Sequence, residues 1–284
     1  MNDTPMQSGD VILMLSTGPV SALIAWCGDS IYSHSALMAD NGDLIEASAG
    51  GVRRYPLAKR LEDRANVVFV DGYRSLDAGG EPLNALQRSA IVTAGEKFIG
   101  IPYEFGKLLD IGIICAVRQK LPAHPMARFL VREALDHALE NNNKAMTCSE
   151  FVYNSFLGAG VTPAGSVTPV IVVAPRSELP FPKIDWVAFA KEMWELLHAA
   201  KPQSASVYAS ADLSTLGTDI QDDDLNSRIT QLRGKLGMDA VSTAQHQTTG
   251  EIIIANPNPK LVTPLDLATT PSHLPLGRLI DYSQ

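Results

Sequence analysis

Residues 146–156 read Met146-Thr147-Cys148-Ser149-Glu150-Phe151-Val152-Tyr153-Asn154-Ser155-Phe156 and predict a short helix that begins at a cysteine. Apolar residues recur at helical spacing from Phe151 to Phe156, and Thr147 suits the N-cap position. A thiol in the first turn of a helix lies at the positive end of the helix dipole, beside backbone N–H groups that lack acceptors. This environment favours the thiolate, the nucleophilic form of cysteine. The alternative is that Cys148 is a small buried apolar residue, a common role for free cysteine.

A predicted β-hairpin upstream of this helix carries a histidine and a carboxylate. Residues 31–38 alternate in polarity, the Asn41-Gly42 pair is typical of a hairpin turn, and residues 42–48 read as the returning strand. His34 would then lie on one strand and Glu46 on its neighbour. In an activated thiol site, a base takes the thiol proton and a third group fixes the orientation and tautomer of that base. The sequence therefore contains candidates for all three roles.

Five segments occur in an order that resembles a known enzyme family. They are Gly9-Asp10-Val11-Ile12, Tyr32-Ser33-His34-Ser35, Leu44-Ile45-Glu46-Ala47, Ile101-Pro102-Tyr103 and Thr147-Cys148-Ser149-Glu150-Phe151-Val152. Together they resemble the circularly permuted, NlpC-type papain-like cysteine hydrolases, in which the histidine strand precedes the cysteine helix. The resemblance covers roughly residues 8–163. Residues 263–267 resemble a further element that the family places soon after the cysteine helix, so the intervening residues indicate an insertion.

The resemblance implies an α+β, papain-like fold of the permuted NlpC type. A central antiparallel sheet would be packed by helices, including the helix that carries the cysteine. It implies catalytic roles for Cys148 as nucleophile, His34 as base and Glu46 as the group that orients His34. Glu46 departs from the histidine or amide that many papain-like relatives use in this third position, although a carboxylate can do the same work.

Three further residues are expected to bind substrate. The family uses a segment like Gly100-Ile101-Pro102-Tyr103 as a loop near the cleft, so the resemblance implies that Tyr103 lines the site. Ser33 precedes His34 and Ser149 follows Cys148, and both serines are expected to contact the substrate together with Tyr103. Core packing is the alternative role for Tyr103, as it is for most aromatic side chains.

We expect three parts along the chain: a permuted papain-like core at residues 1–165, an insertion at 166–260, and a C-terminal segment at 261–284 that returns to the core. The insertion is predicted to be mostly helical, with a polar, flexible part at 201–224. Residues 186–197 are predicted to form a helix with one broad apolar face. This face would either pack on the main domain or serve as a docking surface for a partner or a lid over the cleft. Residues 50–56 are predicted to be a turn, and 67–70 a short strand.

The net charge and the cysteine and histidine content limit which molecules and metals the protein is expected to bind. The formal net charge of −8 argues against a nucleic-acid binder, which carries a basic stripe, and against attraction to anionic membranes. Cys27, Cys115 and Cys148 are an odd number of cysteines, which fits a reducing compartment or a free catalytic thiol better than a disulfide framework. The six histidines are scattered without metal-ligand spacing. We therefore expect no metal site and no cofactor.

The expected location follows from the apolar segments. Residues 1–8 carry neither a basic nor an apolar signal region, so no Sec signal peptide is predicted. The apolar stretches at 11–27 and 108–117 are interrupted or shorter than the roughly 20 residues that a membrane-spanning helix needs. The sequence predicts a protein made in the bacterial cytoplasm and not stably inserted into a membrane.

Three functions remain open from the sequence. The resemblance implies a cysteine hydrolase that cleaves an amide bond, with peptidoglycan peptides as substrate. The insertion and the lack of a predicted signal peptide suggest an antibacterial effector that a contact-dependent machine secretes, with an immunity or loading protein as partner. One alternative is a lipid-directed thiol acyl hydrolase or acyltransferase, because relatives that resemble lecithin:retinol acyltransferase share the same residue order. The other is a catalytically silent papain-like binding module.

Overall fold

The computed structural model describes residues 5–48, 50–102, 106–140, 146–172, 179–200, 216–238, 243–245, 252–254 and 257–283. These residues form an α+β fold in which an open, six-stranded antiparallel sheet packs against helices. Its strands are β1 (Val11–Ser16), β2 (His34–Met38), β3 (Asp43–Ser48), β4 (Gly51–Pro56), β5 (Val67–Ser75) and β9 (His273–Asp281), and their order across the sheet is β4-β3-β2-β1-β5-β9. A small second sheet has the order β6-β8-β7, with β6 (Ile171–Val172), β7 (Thr243–Gln245) and β8 (Ile252–Ile254).

The helices lie before, between and after these strands. They are α1 (Pro19–Cys27), α2 (Leu57–Glu62), α3 (Ala85–Glu96), α4 (Gly106–Arg118), α5 (Pro125–Glu140), α6 (Cys148–Leu157), α7 (Trp186–Ala200), α8 (Asp222–Lys235) and α9 (Pro264–Thr269). A 3₁₀ turn, Pro259–Leu261, precedes α9. Among the described helices, none is long and apolar enough to cross a membrane.

The β2–β3 hairpin forms as the sequence predicts. Asn41 and Gly42 both have positive φ angles, 57° and 77°, which a type I′ turn requires at its two central residues. The pairing of Ala36 with Glu46 fixes the register of the two strands. Because side chains alternate across a strand, His34 and Ala36 of β2 lie on the same face as Glu46 of β3.

The prediction of a turn over residues 50–56 is wrong, because β4 occupies Gly51–Pro56 and pairs with β3 along its whole length. The turn itself is confined to the start of this segment. Gly51 has a φ of +105° and lies so close to the carbonyl oxygen of Ile101 that a Cβ would be 2.8 Å from it. Likewise, the strand predicted at 67–70 continues to Ser75 as β5.

Three apolar cores hold the layers together. Val11 and Leu13 of β1 pack on one face of the sheet with α3 and α6, whereas Ile12 and Met14 pack on the other with α2. The third core joins α1, α4, α5, α7 and α8. Phe189 and Met193 of α7 are fully buried in it, so the apolar face of this helix packs inside the protein. Of the segment predicted to be flexible, residues 201–215 lie outside the described chain.

Candidate active site

Cys148 is the first residue of α6, and a capping box defines this helix start. Oγ1 of Thr147 accepts a hydrogen bond from the Glu150 N–H at 3.1 Å, and Oε2 of Glu150 accepts one from the Thr147 N–H at 3.2 Å. The N–H groups of Cys148 and Ser149 belong to the same first turn, where helix geometry supplies no intrahelical acceptor. Cys148 is 1% exposed. Its thiol therefore lies at a fixed and buried helix N-terminus.

His34 lies between the thiol and a carboxylate. It begins β2, at the edge of the pairing with Met14 of β1. Its Nε2 is 3.4 Å from Oε2 of Glu46, and its side chain also interacts with the Cys148 side chain. The fold thus brings together the three residues that the sequence predicts as nucleophile, base and orienting group.

The two neighbours of His34 determine its charge. Burial disfavours the imidazolium, but the polar and electrostatic interactions with Cys148 and Glu46 outweigh burial and raise the pKa of His34 to about 10. His34 therefore carries a proton at neutral pH.

Glu46 is fully buried and is held by two arginines. Its Oε1 accepts hydrogen bonds from Nη2 of Arg53 at 2.9 Å, from Nε of Arg53 at 3.2 Å and from Nη2 of Arg60. Burial alone would raise the pKa of Glu46, but His34, Arg60 and Arg53 lower it to about 2. Glu46 is accordingly a permanent anion at physiological pH.

A narrow cavity of about 10 Å³ reaches Cys148, with room for roughly one water molecule. Its walls come from the Cys148 helix start, from α4 and from residues 262–264, here called the covering segment. The lining residues are Ser33, Asp110, Ile113, Ile114, Thr147, Cys148, Ser149, Val262, Thr263 and Pro264.

The cavity contains two of the three residues expected to bind substrate. Ser33 and Ser149 both line it, and Oγ of Ser149 is 3.9 Å from Sγ of Cys148 and 3.3 Å from Oγ of Ser35. Tyr103 lies outside the described residues. Ser33 and Ser149 thus both line the cavity that reaches the thiol.

Sequence reasoning missed three charged groups of the site. Asp110 lines the cavity and is the acidic residue inside the otherwise apolar segment 108–117, a signal that could have identified it. Arg53 and Arg60 hold Glu46, but nothing in their spacing connects them to it. Arg53 reaches Glu46 because β4, a strand that the sequence failed to predict, pairs with β3, and Arg60 reaches it from α2, the helix that follows β4.

Comparison with known proteins gives no family assignment. No family model matches the sequence, and no curated protein matches it. Among solved structures, the chain is similar to the crystal structure of the metalloprotein yiiX from Escherichia coli O157:H7 (DUF1105), with 15% sequence identity over 95% of each chain and a TM-score of 0.42. A likeness this low assigns neither fold family nor activity. Within the part of the chain that the structure describes, no three histidine, cysteine or acidic residues are grouped to hold a metal ion.

Proposed function

We propose that this protein is a cysteine hydrolase of the permuted, NlpC-type papain-like kind, which cleaves an amide bond through an acyl-enzyme. The observation that carries the proposal is the position of His34, whose imidazole contacts both the Cys148 side chain and the Glu46 carboxylate. The order of these residues along the chain, histidine strand, carboxylate strand and then cysteine helix, supports the permuted arrangement. The antiparallel sheet with α6 packed on it is consistent with this arrangement.

The reaction would begin with attack of the Cys148 thiolate on the substrate carbonyl carbon. The backbone N–H of Cys148, in the first turn of α6, would stabilise the negative charge that develops on the carbonyl oxygen. His34 would then give its proton to the leaving amine as the carbon–nitrogen bond breaks. In the second half, His34 would take a proton from water as its oxygen attacks the thioester carbon, and breaking of the carbon–sulfur bond would release a carboxylic acid and regenerate the Cys148 thiolate beside the protonated His34.

Substrate access requires a change from the conformation described above. A cavity with room for one water cannot admit a peptide, and Cys148 is 1% exposed. The covering segment and α4 form the outer walls, so one of them must move before a carbonyl carbon can reach the thiol. We therefore expect turnover to depend on how firmly the covering segment is held.

Peptidoglycan peptides are the proposed substrate, with cleavage next to a D-amino acid, as the family resemblance implies. The test compares wild type with Cys148→Ala on purified peptidoglycan, with soluble products identified by mass spectrometry. The proposal predicts defined peptide fragments from wild type and none from the variant. Equal release by both proteins, or none by either while Cys148 still reacts with an electrophile, would count against peptidoglycan as substrate.

The lipid-directed alternative would use the apolar face of α7 around Trp186 and Trp194 to touch lipid. Both tryptophans are half-buried against the helical core, in which Phe189 and Met193 of the same helix are fully buried, so the structure gives this alternative little support. Release of fatty acid from phosphatidylcholine vesicles by wild type but not by Cys148→Ala would restore this alternative. A Cys148 thiol that reacts no faster than free cysteine would instead favour a catalytically silent module.

We further propose delivery as a secreted antibacterial effector with an immunity or loading partner. This part rests on the sequence and on the family resemblance. Directing the protein into the periplasm of a bacterial host tests it, because a peptidoglycan hydrolase should lyse the cells there and Cys148→Ala should not. Survival of cells that carry folded wild-type protein in the periplasm would contradict it.

A further inference from the structure

The two oxygens of Glu46 have different surroundings. Oε1 accepts all the arginine hydrogen bonds, two from Arg53 and one from Arg60. Oε2 is buried, and among the described side chains no donor in normal hydrogen-bond geometry reaches it. Nε2 of His34 lies 3.4 Å from Oε2. One oxygen of the carboxylate is thus anchored, and the other is left for His34.

The two arginines are themselves fixed by packing. The guanidinium carbons of Arg53 and Arg60 lie 4.7 Å and 4.8 Å from the centre of the Tyr55 ring, within the range of cation–π contacts. Nη1 of Arg60 also bonds Oδ2 of Asp63 at 3.3 Å. A planar guanidinium held at several points has little freedom to follow a moving carboxylate, so it fixes the carboxylate plane instead.

We propose that Arg60 and Arg53 are positioning residues: they anchor Oε1 of Glu46 so that Oε2 faces His34 and keeps the imidazole charged beside Cys148. The inference rests on the proposed function, because it names how that site is held in its working charge state. Neither arginine contacts the reacting atoms. They act through Glu46 alone, and the expected consequence is visible in the titration of His34 without any substrate.

The direction of the His34 shift separates positioning from a simple charge effect. If an arginine acted only as a nearby positive charge, its removal would make the imidazolium more favourable and raise the His34 midpoint. If it positions Glu46, its removal lets the carboxylate turn away, and the midpoint falls. The other titratable groups around His34 and the Cys148 cavity are Glu46 on β3, Cys148 on α6 and Asp110 on α4. None of them is altered in the arginine variants.

The experiment is an NMR pH titration of the full chain labelled with ¹³C-histidine, with the His34 signal assigned by its loss in His34→Asn. Glu46→Gln sets the reference for an uncharged partner, and we expect its His34 midpoint to fall by roughly 1–3 pH units. In Arg60→Met the His34 midpoint should fall by about one pH unit, and in Arg53→Met it should fall by less. The midpoint of the double variant should approach that of Glu46→Gln. Arg60→Lys, which keeps the charge but not the planar geometry, should lie between Arg60→Met and wild type.

Arg54→Met is the matched control, because it removes a neighbouring arginine of β4 that pairs with Asp40 and Glu96 instead of Glu46, and its midpoint should match wild type. Arg53 is 46% exposed at its side chain and gives a second test if Arg60→Met does not fold. An unchanged or raised midpoint in the folded arginine variants would overturn the proposal. Failure of peptidoglycan cleavage with the expected shifts would reject the proposed substrate and leave the positioning role intact.

Discussion

Lys260 Nζ lies 3.3 Å from Oε1 of Glu150. Glu150 belongs to the capping box of the cysteine helix, and Lys260 belongs to the 3₁₀ turn that precedes the covering segment. Glu150 is buried, and burial raises its pKa while Lys260 opposes that rise. The contact joins two of the elements that line the cavity around Cys148, the start of the cysteine helix and the chain that leads into the covering segment. A substitution that breaks this ion pair should therefore change how firmly the covering segment is held over Cys148.

Lys260→Met should make Cys148 more reactive. Loss of one partly buried ion pair lowers the cost of displacing the covering segment by about 1 kcal/mol, which corresponds to roughly a fivefold increase in the open population. The measurement is the rate of Cys148 alkylation by iodoacetamide, followed by peptide mass spectrometry because Cys27 and Cys115 are also free thiols. Lys59→Met, on the exposed surface of α2, is the control. Equal rates in all three proteins would show that Lys260 does not hold the cover.

Glu46→Gln should impair both activity and stability. The amide cannot stabilise the His34 imidazolium, and we expect kcat/KM on a peptidoglycan fragment to fall on the order of 10²–10⁴-fold. The change also leaves the Arg60 guanidinium without its buried counter-ion, which should lower the free energy of unfolding by about 3 kcal/mol. Urea denaturation measures this loss.

The exposed Asp40–Arg54 pair provides the comparison for Glu46. Asp40→Asn should change the free energy of unfolding by no more than about 1 kcal/mol, since surface ion pairs contribute little. If Glu46→Gln proved as mild as Asp40→Asn, the arginine contacts would not be strong in solution.

His273 should make the fold sensitive to acid. Burial lowers its pKa to about 4, even though the Leu267 carbonyl oxygen, 2.7 Å from Nδ1, favours the charged form. The unfolded chain then binds a proton more readily than the folded one, so falling pH favours unfolding. Between pH 6.5 and 4 the protein should lose about 3 kcal/mol of stability from this group.

His273→Asn tests that assignment, because asparagine can still donate to the Leu267 carbonyl but does not titrate in this range. Unfolding free energies at pH 7 and pH 4.5 should differ clearly less in the variant than in wild type. An identical pH dependence in both proteins would assign the acid sensitivity to other groups.

Gly112→Ala should disturb the helix that carries Asp110. Helices α4 and α5 approach so closely that a Cβ on Gly112 would lie 2.4 Å from the Ala134 carbonyl oxygen. Overpacking against backbone costs about 1–3 kcal/mol or more, and we expect thermal denaturation to show at least that loss. Gly50→Ala, where a Cβ would meet nothing within 4 Å, should be nearly neutral.

Local signals in the sequence predicted the elements that carry the nucleophile and the base. Thr147 and Glu150 have the spacing of a capping box, and Asn41-Gly42 has the composition of a type I′ turn, so both elements depend on neighbours in sequence. β4 was missed because its residues, Arg53 among them, are polar and alternate weakly. It is a strand only because β3 lies beside it. Cross-strand pairing of this kind leaves little trace in local composition.

The ion pair between Glu150 and Lys260 joins residues 110 positions apart in the sequence. The ribosome therefore makes the covering segment, which this ion pair holds, long after the cysteine helix. Strands β1–β5 and the cysteine helix can assemble while the ribosome is still making the rest of the chain, because domains begin to fold from the N-terminal side. Until residues 262–264 emerge, the thiol has no cover on that side. The newborn protein therefore passes through a stage in which its nucleophile is more open than in the finished fold, and a segment translated long after the cysteine helix closes it.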